Sequence, residues 1–237
     1  MSIAENLTKI AENQEKVFDA GKAQANDEFW EAFQKNGKRK EYPYAFHQWG
    51  HEYIRPKYKV VPTTSHYAQM FYYCNYLKKV ESAYFDVSNI TGTSSTYGNY
   101  YTFQFCSRLE EIEDIGLNDV AYSGTFHGCE KLHTIAMLRS NENTTFGANP
   151  FHSCTSLVNI KFSDEKDKLG ASVIGKNIDF HWSPLNKASI TNIIEHLSDT
   201  ANGTTLSLKQ SAVESEFETS EWNEMVASKS NWTISLS

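Results

Sequence analysis

Phe126-His127-Gly128-Cys129-Glu130-Lys131-Leu132-His133-Thr134-Ile135 sets a phenylalanine, a cysteine, a leucine and an isoleucine three residues apart. The same spacing returns at Phe71-x-x-Cys74-x-x-Leu77-x-x-Val80, Phe103-x-x-Cys106-x-x-Leu109-x-x-Ile112 and Phe151-x-x-Cys154-x-x-Leu157-x-x-Ile160. The four copies hold every cysteine of the chain, at separations of 32, 23 and 25 residues. A short pattern recurring at that period predicts a solenoid, in which each copy is one coil and buries its apolar side chains against the next. The predicted class is α/β, with short parallel strands joined by helical or irregular returns.

In each copy the Phe and Cys belong to a turn, and the Leu-x-x-Ile/Val stretch enters a strand. Neighbours along a strand point to opposite faces. Val80, Ile112, Ile135 and Ile160 therefore point inward, and Lys79, Glu81, Glu111, Glu113, Thr134, Asn159 and Lys161 point outward, with Ala136 beside them. This ladder is a candidate binding face, and its charges change sign from coil to coil. The longest stretch between copies, residues 89–101, carries Tyr97, Tyr100 and Tyr101 among Ser, Gly, Thr and Asn. Those residue types suit adaptable binding loops, so the three tyrosines join the candidate site.

The chain has 237 residues, 40% hydrophobic and 14% aromatic, with a formal net charge of -7. An acidic chain lacks the clustered basic face that a nucleic-acid backbone needs. The one short basic cluster, Lys35, Lys38, Arg39 and Lys40, reads as a solvated loop. No apolar stretch approaches the ~20 residues of a membrane helix, so no membrane insertion is expected. Met1-Ser2-Ile3-Ala4-Glu5-Asn6 has neither the basic start nor the apolar run of a signal peptide. The cysteines lack the close pairs of a zinc site, and their equivalent places predict a column of structural thiols rather than disulfides.

Outside the copies the pattern differs. Ile3, Leu7, Ile10, Gln14 and Val17 form a short heptad seam, which predicts an amphipathic coiled-coil helix over 1–24 and self-association through it. Residues 25–62 read as a helical and aromatic N-terminal cap, with Phe29, Trp30 and Phe33 on one helix side and a stop at Asn36-Gly37. The repeats occupy 63–182. Residues 183–237 read as atypical closing coils: a helix with Ile190, Ile193, Ile194 and Leu197, a strand over 204–208, a single helix over 211–227 and a strand over 232–236.

The copies resemble the BspA-type leucine-rich repeat, also found in treponemal surface proteins, whose unit is Phe-x-x-Cys-x-x-Leu-x-x-Ile over about 23 residues. The flanks, including Phe29-Trp30-Glu31-Ala32-Phe33-Gln34-Lys35-Asn36-Gly37 and Asn231-Trp232-Thr233-Ile234-Ser235-Leu236, resemble uncharacterised proteins from phages and prophages of gut Firmicutes. The resemblance implies a phage virion or the bacterial cytoplasm as location, and a protein or glycan of a bacterial surface as partner.

No catalytic grouping stands out. His51-Glu52 lacks the second histidine of a zinc-protease helix, and no Gly-x-Ser-x-Gly or phosphate loop occurs. His127 and His152 sit near cysteines, but they share one repeat position, and repetition explains them. No catalytic residue, metal or cofactor is expected. Three functions follow: a non-enzymatic binding module using the solenoid face and the Tyr-rich loop, a virion component trimerised by its N-terminal helix, or a glycan-acting enzyme using Trp49, Trp182, Glu52 and Asp179.

Overall fold

The computed structural model describes residues 27–38, 44–61, 69–86, 101–117, 124–146, 150–164 and 172–237. The heptad segment 1–24, and Tyr97 and Tyr100, lie outside them. Among the described residues the protein is mixed α/β, with four helices and two parallel sheets, neither closed into a barrel. The first sheet joins β1 (Lys79–Val80), β2 (Glu111–Ile112), β3 (Ile115–Leu117), β4 (Thr134–Ser140) and β5 (Asn159–Phe162). β2 and β3 both pair with β4, β3 against its far end at Leu138–Ser140, so they act as one interrupted strand. The second sheet is β6 (Ile178–Phe180), β7 (Thr204–Leu208) and β8 (Trp232–Leu236), in that order.

The four copies stand side by side in one register. Lys79 pairs with Glu111, Glu111 with Thr134 and Thr134 with Asn159, while Val80, Ile112, Ile135 and Ile160 align beside them. All four aliphatic residues are buried, as the alternation predicts. Parallel strands lie ~4.8 Å apart, so equivalent side chains meet their counterparts at about ring-stacking distance. The phenylalanines follow this rule. Phe71–Phe103, Phe103–Phe126 and Phe126–Phe151 have ring centroids 5.0, 5.7 and 5.2 Å apart, with planes within 14°.

Two more rings extend the column. Phe46 stacks on Phe71 at 5.5 Å and Phe180 on Phe151 at 4.5 Å. At their ends the cysteine place is taken by Trp49 and Ser183. The four thiols are free and buried. Each donates to the carbonyl of the phenylalanine one copy earlier: Cys74 to Phe46, Cys106 to Phe71, Cys129 to Phe103 and Cys154 to Phe126, at 2.7–3.2 Å. A small donor at this place satisfies a buried carbonyl without widening the stack. Among the described residues no earlier copy lies beneath Trp49. It packs instead on Trp30 of α1 (Asp27–Gln34) at 6.2 Å. Past α1 the left-handed Lys35, Asn36 and Gly37 end the helix at the predicted stop.

The first sheet ends where a strand is replaced by a helix. Leu185 is buried one residue earlier than the leucines of the other copies, and Asn186 caps α2 (Lys187–Glu195), accepting from the Ser189 amide at 2.9 Å. The exposed edge of β5 would carry unpaired amides. Side chains of α2 take them. Ile160 N–H donates to Ser189 Oγ at 2.9 Å and Phe162 N–H to Asn192 Oδ1 at 2.6 Å, while Ser189 Oγ donates to the Val158 carbonyl at 3.0 Å. One face of the helix thus serves the role of a strand edge, while Ile190, Ile193 and Ile194 are buried.

The predicted strands at 204–208 and 232–236 are present with those bounds. The single helix predicted over 211–227 is two, α3 (Gln210–Glu216) and α4 (Thr219–Ala227). They part at Phe217, whose extended backbone turns its ring onto Trp222 at 5.5 Å and into the core. A continuous amphipathic pattern does not reveal that break, because burial of Phe217 requires the chain to leave helical geometry.

Candidate functional site

The strand face carries most of the residues singled out from the sequence, and they engage one another. Lys79 Nζ lies 3.1 Å from Glu111 and 2.8 Å from Glu113. Glu113 also accepts from the Ser82 amide and hydroxyl at 2.7 and 2.8 Å. Glu81 pairs with Arg55 at 3.0 Å. Farther along, Asn159 Nδ2 is 3.3 Å from Thr134 Oγ1, and Asn159 Oδ1 accepts from Asn186 at 2.7 Å. Lys161 pairs with Asp164 at 3.0 Å. The charge alternation read from the sequence is therefore a set of satisfied pairs along the strands. A groove of about 340 Å³ lies between Thr134, Asn159, Lys161 and Asn192, where α2 meets the sheet.

The hydrogen bond from Lys79, aided by those from Ser82, holds the Glu113 carboxyl down at about 2. An unfolded glutamate titrates near ~4.3. The folded value is lower, so this contribution is complete above about pH 5 and disappears as pH falls toward 2. Glu113 remains partly exposed, which limits the effect through solvent screening. Glu113→Gln is expected to cost about 1 kcal/mol at pH 7 and nothing measurable at pH 2, read by urea titration at both. A loss that persists at pH 2 would assign the effect to shape rather than charge.

A second surface lies on the turn edge of the copies. The residue two positions after the first five column phenylalanines adopts left-handed backbone: Gln48 (φ 56°), Tyr73 (φ 57°), Phe105 (φ 61°), Gly128 (φ 77°) and Ser153 (φ 61°). In the first four, its amide donates across to the next copy, as from Tyr73 to the Gln104 carbonyl at 3.0 Å and from Phe105 to that of His127 at 2.8 Å. At Gly128 a Cβ would stand 2.6 Å from the Phe105 ring, so glycine there both accepts the backbone angle and makes room for the neighbouring ring.

These turns set a row of rings along the edge. His47 meets Tyr72 at 5.4 Å, Tyr72 meets Tyr73 at 4.6 Å and Tyr73 meets Phe105 at 4.8 Å. The row continues from Phe105 to His127 at 5.2 Å, from His127 to His152 at 4.6 Å and from His152 to Trp182 at 4.9 Å. Tyr73 is 37% exposed and Trp182 39%. Tyr101, of the predicted loop, lies 6.5 Å from Tyr72 and half-buried beside the row. Burial lowers the pKa of His47, and that of His127 with help from the adjacent His152. Partial burial raises the phenol pKa of Tyr72, next to Tyr73. The row escapes a search for catalytic or loop residues. Its signal in the sequence is the dipeptide Phe-His, which recurs at 46–47, 126–127, 151–152 and 180–181.

Of the residues weighed for glycan chemistry, Trp49 is withdrawn from solvent at 3% exposure, because it fills the cysteine place of the first ring of the column. Glu52 pairs with Lys78 at 2.8 Å, and Asp179 accepts from the His181 ring at 2.7 Å. No group of three or more His, Cys, Asp or Glu suited to a metal ion occurs among the described residues, and no described helix is long and apolar enough to cross a membrane. Comparison with family models, curated proteins and solved structures finds no match to this chain.

Proposed function

We propose that the chain is a non-enzymatic binding module built as a leucine-rich-repeat solenoid of the BspA-like type, recognising a protein or glycan of a bacterial surface. The observation that carries this reading is the continuous ring row from His47 to Trp182, displayed on the turn edge of in-register copies. A rigid scaffold that holds aromatic side chains in a partly exposed line offers contact area at little entropic cost. The strand face is the weaker half of the site, since its charged groups have already spent their interactions on each other. The paired states of Glu52 and Asp179 favour binding over glycan hydrolysis.

The test applies intact protein to a glycan array and to purified bacterial envelope preparations. Tyr73→Ala is expected to weaken capture about tenfold or more, as for an exposed aromatic anchor, and Lys161→Ala to change it by less than about threefold. The reverse ranking would move recognition to the strand face. Absence of capture from every preparation would remove the recognition reading.

A further inference from the structure

The ring row ends at Trp182, in a depression of about 590 Å³. That volume falls within the range of about 300–1,000 Å³ usual for small-molecule sites. The indole is one wall. Its neighbours are imidazoles, His152 at 4.9 Å and 55° and His181 at 4.9 Å and 48°. Asp179 Oδ1 accepts from both the His181 amide, at 2.9 Å, and its Nδ1, at 2.7 Å. The carboxylate thereby fixes the tautomer and leaves Nε2 as the free polar atom of the ring. Lys209, Gln210, Ser211 and Glu214 also line the depression. Gln210 Nε2 donates to Glu214 Oε1 at 2.6 Å, so the amide oxygen of Gln210 and the second carboxylate oxygen of Glu214 remain as acceptors.

We infer that this depression is a saccharide subsite, taking one pyranose against the Trp182 indole with its hydroxyls toward Gln210, Glu214 and His181. An exposed indole suits the axial C–H face of a sugar ring, which is apolar, while the ring's edge demands donors and acceptors together. Both occur among the side chains that line the depression. The single lysine is balanced by a glutamate, which disfavours phosphate and nucleotide ligands and fits an uncharged sugar. A purely apolar ligand would leave these polar groups desolvated without partners.

The inference rests on the recognition reading and narrows it to a ligand class. Calorimetric titration of the intact protein with chitotetraose, cellotetraose, maltotetraose and mannotetraose is its test. At least one is expected to bind saturably. Trp182→Ala should then weaken it about tenfold or more with an unchanged melting temperature, and Trp182→Phe should retain part of the affinity. Gln210→Ala, on the surface of α3, should lower affinity without altering the fold. No saturable binding, or equal affinity in Trp182→Ala, overturns the subsite. If no oligosaccharide binds while envelope proteins are still captured in a Tyr73-dependent way, the subsite falls and the recognition reading stands. If both fail, both fall.

Discussion

Phe126→Ala is expected to destabilise the protein by about 3–5 kcal/mol, the usual range for truncating a fully buried aromatic ring. Phe126 is inaccessible to solvent and lies between two parallel rings, Phe103 at 5.7 Å and Phe151 at 5.2 Å. Its own carbonyl receives the Cys154 thiol, so the cavity would adjoin a buried polar contact that cannot relax freely. Collapse around the void is limited because each neighbouring ring is held by the next copy. Leu132→Ala and Ile135→Ala, buried in the same copy, are expected to cost about 2–5 kcal/mol each. Phe105→Ala provides the contrast, since that ring lies half-buried on the turn edge, and its loss should stay below the column values. Urea titration at pH 7 reads all four. A Phe126→Ala cost below about 1 kcal/mol would show that the ring column is not the core of the molecule.

Raising the pH above ~9 is expected to destabilise the protein steeply, beginning before its lysines and arginines discharge. Burial holds the Cys106, Cys129 and Cys154 thiols far above the ordinary cysteine range, with the nearby Cys74 adding to the effect at Cys106. In the unfolded chain these thiols ionise near ~8.5. The folded values are raised, so stability is complete below about pH 8.5 and falls as pH climbs from there toward the folded values. Each thiol contributes a slope of about 1.4 kcal/mol per pH unit, and the three together about 4 kcal/mol per unit. A domain of ordinary stability, about 5–15 kcal/mol, then loses most of it within two to three units. Equilibrium unfolding at pH 7, 8, 9 and 10 measures the slope. Cys129→Ala should reduce it by about 1.4 kcal/mol per unit while lowering stability at pH 7 only modestly. Thiol labelling at pH 8 should follow global unfolding, since a buried neutral thiol is a poor nucleophile. Rapid labelling of the folded protein, or a flat pH profile, would contradict the buried column.

The parts of the fold that were legible in the chain are those governed by spacing. Phe, Cys, Leu and Ile three residues apart, repeated, reveal which side chains face inward and which strands pair, because in parallel neighbours the register copies itself from one copy to the next. Lys79, Glu111, Thr134 and Asn159 stand in line for that reason. The column's two outer members were concealed by substitution: Trp49 and Ser183 stand where the other copies have cysteine. The break at Phe217 was equally concealed, since periodicity records amphipathicity and not the demand of one ring to be buried.

For the candidate site the division is sharper. The outward residues of the strands follow from alternation alone, but only contact geometry reveals that Lys79 bridges Glu111 and Glu113 and that Glu81 is held by Arg55. The turn-edge rings were present in the chain as recurring Phe-His pairs, yet their alignment depends on left-handed backbone two residues after five of the six column phenylalanines, and for Gln48, Tyr73 and Phe105 that conformation is held by cross-copy amide bonds rather than by local preference. Repetition in the sequence thus established which residues stack, since identical positions in parallel neighbours must meet. Which charges pair on the strand face and which rings line up on the turn edge was decided by folding, because most of those contacts join residues of different copies, as Lys79 with Glu111 and Phe105 with His127.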